Sequence, residues 1–250
     1  MRFFEAIMLF IAGIGAGTIN TVVGSGSLIT FPALLAFGYS PLTANMTNNL
    51  GILPGSISGA IAYRKELSTQ WPRVIRLGSL SLVGGLIGAL LLLRLPPAAF
   101  KSIVPVLIFL ALVLVIFQPW LRKRAAQREL GSRRNGVIRT VGIFLTGVYG
   151  GYFGAAQGVL LMSVLGMVID ESIQRLNSLK IMLATIANTV AAIVFVIRGG
   201  ISWEAAGVIA LGSIIGGQLG AHIGRRLPEP IYRGVIVAVG LVAIVRLMTS

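Results

Sequence analysis

The 250-residue chain contains no cysteine and a single histidine. The first absence removes disulfides, thiolate metal sites and cysteine nucleophiles together. The second rules out a multi-histidine metal centre within one protomer. Neither a cofactor nor a catalytic set of residues is expected. Acidic residues are scarce as well: Glu5, Glu66, Glu129, Asp170, Glu171, Glu204 and Glu229 complete the count, and each falls at the end of an apolar segment or in a loop. A cation carrier, or a pump with a buried carboxylate relay, needs an acid inside such a segment. Its absence leans toward an anionic substrate.

Apolar side chain is what the sequence has in excess, 56% hydrophobic residues against 11% charged. That is more than a water-soluble core hides, so lipid must solvate the surface. A spanning helix needs roughly 20 apolar residues, and segments 77–93, 102–121, 203–224 and 231–248 come closest to that length. Residues 1–19 are expected to be retained, because the apolar segments continue along the whole chain instead of giving way to a soluble domain. The net charge of +14 does not read as nucleic-acid binding, since Lys and Arg lie between the apolar segments, where they flank a bilayer.

The chain repeats itself. At a spacing of 132, Ser40 pairs with Ser172, Asn45 with Asn177 and Trp71 with Trp203, and Gly84, Gly85, Gly88 and Ala89 meet Gly216, Gly217, Gly220 and Ala221. Arg94-Leu95-Pro96 then matches Arg226-Leu227-Pro228, giving seven identities over positions 84–96, where this composition yields roughly one or two by accident. Near the start of each half a spacing of 134 pairs Gly13, Gly17 and Gly24 with Gly147, Gly151 and Gly158. The expected organisation is a first transmembrane repeat, 1–118, a basic cytoplasmic linker, 119–136, and a second repeat, 137–250. Each repeat opens with an apolar stretch broken midway by glycine and polar residues, read as a hairpin of two short helices. Helices over 42–63, 73–95 and 100–121, then 174–197, 203–225 and 231–248, are expected to follow.

Cytoplasmic loops hold the excess of positive charge, and the linker carries Arg122, Lys123, Arg124, Arg128, Arg133 and Arg134. If each hairpin returns the chain to its starting side, the second half is inverted. Sixteen Lys and Arg residues then face inward, leaving Arg2, Arg94, Lys101, Arg198 and Arg246 outside. Parallel halves reduce the split to 14 against 7, so the inverted arrangement is the better fit, with both termini periplasmic. The expected fold is an all-α membrane protein of two inverted-topology repeats, a recurring plan of secondary transporters.

Backbone that leaves the helix at membrane depth is tolerated only where protein buries it or a polar cavity borders it. The two breaks, Asn20 to Ser27 and Gly154 to Gly158, are such places. A half-helix starting there offers N–H groups and a positive dipole end to a small anion. Gly24 and Gly26 would let the anion approach the backbone, with hydroxyls from Ser25 and Ser27. The other use of such glycines is close helix packing. Asn45-Met46-Thr47-Asn48-Asn49 is too polar for simple capping. Its repeat mate, Asn177-Ser178-Leu179-Lys180, sets a lysine opposite Asn48. Lys180 is either a site residue or a chain snorkelling to the headgroups. The candidate substrate-binding residues are therefore Asn20, Gly24, Ser25, Gly26, Ser27, Asn45, Thr47, Asn48, Gln157, Gly158, Asn177 and Lys180.

The run Gly17-Thr-Ile-Asn-Thr-Val-Val-Gly24-Ser-Gly26-Ser-Leu-Ile-Thr-Phe-Pro32, followed by Gly38-Tyr-Ser-Pro41-Leu-Thr-Ala44-Asn-Met-Thr47-Asn48, resembles the signature of the TauE/SafE family, the sulfite exporters. The duplicated halves and basic linker extend the resemblance over the whole chain. Serines at 25 and 27 stand where family members show a run of glycines. The resemblance implies export or uptake of sulfite, sulfonates or related sulfur-containing and carboxylate anions across a bacterial inner membrane. The partners are then the small anion, the lipid bilayer, a coupling proton or sodium ion, and a second copy in a homo-oligomer, with no nucleic acid.

Two other classes share some of these features. An intramembrane serine protease needs a Ser nucleophile and a His base. Ser25 and His222 are present, but Val23 stands where a Gly-x-Ser-Gly motif requires glycine. A passive anion channel would share most of these features, and saturable counterflow separates a carrier from it.

Overall fold

The computed structural model describes residues 1–126, 133–223, 238 and 241. Among these the chain is helical: α1 (Phe3–Val22), α2 (Ser27–Ala36), α3 (Pro41–Ala62), the short α4 (Arg64–Ser68), α5 (Trp71–Arg94), α6 (Pro97–Ala126), α7 (Arg133–Tyr152), α8 (Gln157–Val168), α9 (Ile173–Arg198) and α10 (Trp203–Ile223). Four of them, α1, α5, α9 and α10, are long and apolar enough to cross a membrane, and large apolar side chains such as Phe3, Ile75, Leu211 and Ile197 cover the outside. This is a multi-pass membrane protein. The helix expected over 231–248 lies outside the described residues. α6 runs to Ala126 and α7 begins at Arg133.

The opening hairpins differ from the expectation. They are not pairs of short helices: α1 and α7 each have 20 residues, about 30 Å, and only α2 and α8 are short. α2 doubles back on α1, since any side chain on Gly26 would strike the Ala16 carbonyl and Ile29 reaches Gly15. The chain thus returns to its starting end, where the Tyr39 hydroxyl donates to Glu5 at 2.8 Å.

The spacing of 134 for the opening helices is overturned by backbone geometry. At Gly24 (φ 86°) and at Gly154 (φ 76°) the chain turns left-handed, as glycine alone does cheaply. Gly24 N–H bonds the Ile19 carbonyl, as Gly154 N–H bonds that of Tyr149. The true spacing is 130, so Gly24 matches Gly154 and Gln157 matches Ser27. It becomes 132 after α8, which is two residues longer than α2. From there Ser40 and Ser172 are matched N-caps, each accepting the backbone N–H three residues on.

Close packing follows the same spacings. Gly17 leaves no room for a side chain against Ser213, nor Gly147 against Ser81. Gly216 and Gly220 lie on the Ile14 and Thr18 carbonyls, as Gly84 and Gly88 lie on those of Phe144 and Val148. Small residues let backbones approach where lipid supplies no hydrophobic drive between helices. The opening helix of each half therefore docks on the third long helix of its partner, α1 on α10 and α7 on α5. α1 and α10 run parallel, as this ordering of contacts requires. α3 and its mate α9 run antiparallel: Met46 meets Gly200 at one end, Asn49 meets Asn188 midway, and Ala60 and Tyr63 pack with Ile181 at the other.

Candidate functional site

The two breaks touch. Gly158 N–H donates to the Gly24 carbonyl at 3.0 Å, and a Cβ added to either glycine would fall 2.3 to 2.4 Å from the other's Cα. Phe153, in the second break, is held by edge-on contacts to Phe31 of α2 and Phe100 of α6, with ring centroids 5.3 and 6.4 Å apart. Such pairs add about 0.5–1.5 kcal/mol beyond burial.

This contact changes the role of the glycines. The open faces of Gly24 and Gly26 are filled by protein, by Gly158 for the first and by Ala16 and Asn20 for the second. They serve close packing, not the approach of an anion from that side. At α8 the first-turn N–H groups are also engaged: Gln157 with Gly154, Gly158 with Gly24, Val159 and Leu160 with Ala156. No first-turn N–H of α8 is left over for a ligand.

Each break borrows its cap from the other half. The last carbonyls of a helix lack partners within it. The Asn45 amide donates to the Tyr152 carbonyl at 3.0 Å, and Asn177, its repeat mate, donates to the Thr21 carbonyl at 3.2 Å. One turn beyond Asn177, the Lys180 ammonium adds bonds to the Thr21 and Val22 carbonyls at 3.3 and 3.4 Å. Lys180 is 2% exposed and is the one charged side chain buried among the described residues. It does not snorkel, because the negative end of α1 holds it inside.

Around this junction several buried polar atoms carry no hydrogen bond: Thr21 Oγ1, Ser25 Oγ, Gln157 Oε1 and Asn49 Oδ1. An unpaired group of this kind costs about 1–3 kcal/mol. The Gln157 amide itself donates to the Thr146 carbonyl, over Gly150, which leaves room for it. In the first half the bulk is exchanged, with Asn20 on α1 and Ser27 on α2. Asn20 donates to Ser56 at 2.9 Å. Thr30 donates to Asn48, tying α2 to α3. Ser27 is buried nearby in sequence. Thr47 departs from the group: its hydroxyl accepts from Ser202 N–H at 3.0 Å and fastens the 199–202 loop.

Thr21 and Asn49 lie inside the polar runs singled out in the sequence but outside the named candidates, and Asn188 was not singled out. Asn188 accepts from Asn49 across the halves at 3.4 Å. A lone amide in the apolar stretch 181–197 was the available signal.

A family model described as "Sulfite exporter TauE/SafE" matches residues 9–247. "Probable membrane transporter protein YfcA" of Escherichia coli is 26% identical over 242 residues, covering 96% of this chain and 88% of that one. "Probable membrane transporter protein ORF9" of a Sinorhizobium species is 26% identical over 251 residues, 100% of this chain and 95% of the relative. A "Probable membrane transporter protein" of Haemophilus influenzae is 26% identical over 92% of this chain and 89% of its own length. No solved structure matches at a significant level.

Proposed function

The chain belongs to the sulfite exporter TauE/SafE family and is a membrane transporter, and from that premise we propose that it carries a small anion, sulfite, an organosulfonate or a related sulfur-containing or carboxylate anion, across a bacterial inner membrane. The observation that carries this reading is the buried Lys180 ammonium on the end of α1 at the first break, together with polar atoms of Thr21, Ser25, Asn49 and Gln157, in or beside the breaks, that carry no hydrogen bond. A buried ammonium in the same region as these polar side chains supports an anion over a cation.

The antiparallel run of α3 against α9 supports inverted halves, and with them rocking of one half against the other around a central site. An anion that binds raises stability by RT ln(1 + [L]/Kd), about 2.7 kcal/mol at a hundredfold excess over Kd. A thermal-shift screen of the purified protein against sulfite, sulfate, thiosulfate, sulfonates and small carboxylates is expected to single out one group by a shift of several degrees. If sodium or potassium raises the melting point while every anion leaves it unchanged, the anionic reading fails. Saturable counterflow in proteoliposomes distinguishes the carrier from a channel.

Topology supplies a second prediction. With both termini periplasmic, a cysteine at Gly131 in this Cys-free chain stays unlabelled by an impermeant thiol reagent in intact cells, whereas one at Arg198 is labelled. The reverse pattern turns the orientation over.

A further inference from the structure

A cleft between the first turns of α5, the start of α7 and the end of α8 has no assigned use. One cavity of about 480 Å³ is lined by Arg73, Arg76, Arg139 and Asp170 among apolar residues. A second, of about 410 Å³, shares Arg76 and Arg139 and continues along Val137 and Val141. Together they form a groove in which the arginines adjoin apolar side chains. Val137 and Val141 are 59% and 47% exposed, and Ile75 beside Arg76 is 71% exposed. In a bilayer these side chains face acyl chains.

The arginines are not equally available. Arg73 is bonded to Glu171 at 2.7 Å, and that bond holds the Glu171 carboxyl below the usual carboxylate range, so the pair persists at neutral pH. Arg139 has a buried Nε with no partner, and neither Arg76 nor Arg139 forms an ion pair among the described residues. The fold does not impose this cleft. At the repeat-related positions Arg139 is replaced by Leu9, Arg73 by Ala205 and Arg76 by Val208, and the first two of these are fully buried. The other half fills the same space with hydrocarbon.

We propose that this groove binds an anionic phospholipid, its phosphate between Arg76 and Arg139 and its acyl chains along Val137 and Val141. A soluble anion would have no use for the apolar half. Guanidinium groups match phosphate oxygens in pairs, and basic pockets between helices at the membrane surface suit such headgroups. Asp170 disfavours a second negative charge deep in the cleft and accepts a headgroup hydroxyl, which fits phosphatidylglycerol.

Native mass spectrometry of the full-length protein in detergent, with phosphatidylglycerol and phosphatidylcholine of matched acyl chains, tests this without any transport assay. The wild type is expected to retain phosphatidylglycerol about tenfold or more over phosphatidylcholine. Arg76→Gln with Arg139→Gln removes the preference, while Arg64→Gln with Lys65→Gln, on α4 outside the cleft, removes as much charge and keeps it. Equal loss in both double variants overturns the proposal, as does equal retention of phosphatidylethanolamine. Displacement of the lipid by inorganic phosphate at matched concentration overturns it too.

Discussion

Alanine in place of Gly24 is expected to unfold the protein, or to lower its stability by more than about 3 kcal/mol. The new Cβ would stand 2.3 Å from the Gly158 Cα, with φ at 86°. Left-handed backbone costs a non-glycine residue roughly 1–2 kcal/mol, and overpacking adds typically 1–3. Backbone lies on both sides of the clash, so no side chain can turn aside. Gly158→Ala meets the same obstacle at 2.4 Å from the other direction. Gly207 is the control: on α10 nothing lies within 4 Å of its added Cβ, and alanine there gains about 0.5–1 kcal/mol of helix preference. Thermal unfolding of the three variants in detergent should place Gly24→Ala and Gly158→Ala far below wild type and Gly207→Ala at or above it. A Gly24→Ala protein as stable as wild type means that the breaks do not touch.

Lys180 carries the second large effect, and two substitutions separate its two roles. Lys180→Ala strips a donor from the Thr21 and Val22 carbonyls and should cost about 1–3 kcal/mol of stability for groups left unpaired. Lys180→Gln keeps a donor near the end of α1 and removes the charge, so stability should be largely retained. Hydrogen bonds to a charged group contribute about 1.5–3 kcal/mol, and ~1.4 kcal/mol is a factor of ten. Affinity for the anion found by thermal shift is therefore expected to fall tenfold to a hundredfold in Lys180→Gln. Unchanged affinity in that variant would reduce the lysine to a helix cap.

Much of the architecture was legible in the sequence because lipid imposes strict rules. Apolar length located α3, α5, α9 and α10 to within a few residues, though not the length of α1 and α7, and the 132 spacing located the matched pairs Ser40 and Ser172, Asn45 and Asn177. The spacing of the opening helices was misjudged because glycine identity does not report backbone conformation. With 32 glycines in the chain, a chance register can align three of them, and the sign of φ at Gly24 and Gly154 was needed to choose. The candidate residues were recognisable as polar interruptions, yet their partners were not. Whether Gly26 faces a ligand or Ala16 depends on how α2 folds back on α1, and whether Lys180 points outward or onto the end of α1 depends on a contact between residues 159 positions apart.

The exchange of caps between the halves has a consequence for synthesis. The carbonyl of Thr21 waits for Asn177, 156 residues later, and the ribosome adds about 5–20 residues per second. For roughly 8–30 s the end of α1 is already made while its partner is still unborn. In that interval a polar backbone terminus has no donor from its own chain, and hydrocarbon offers none. The first half must therefore be kept at an aqueous or protein-lined surface until the second arrives, and a truncated product ending before α9 would present an uncapped break to the bilayer and to the proteases that patrol it.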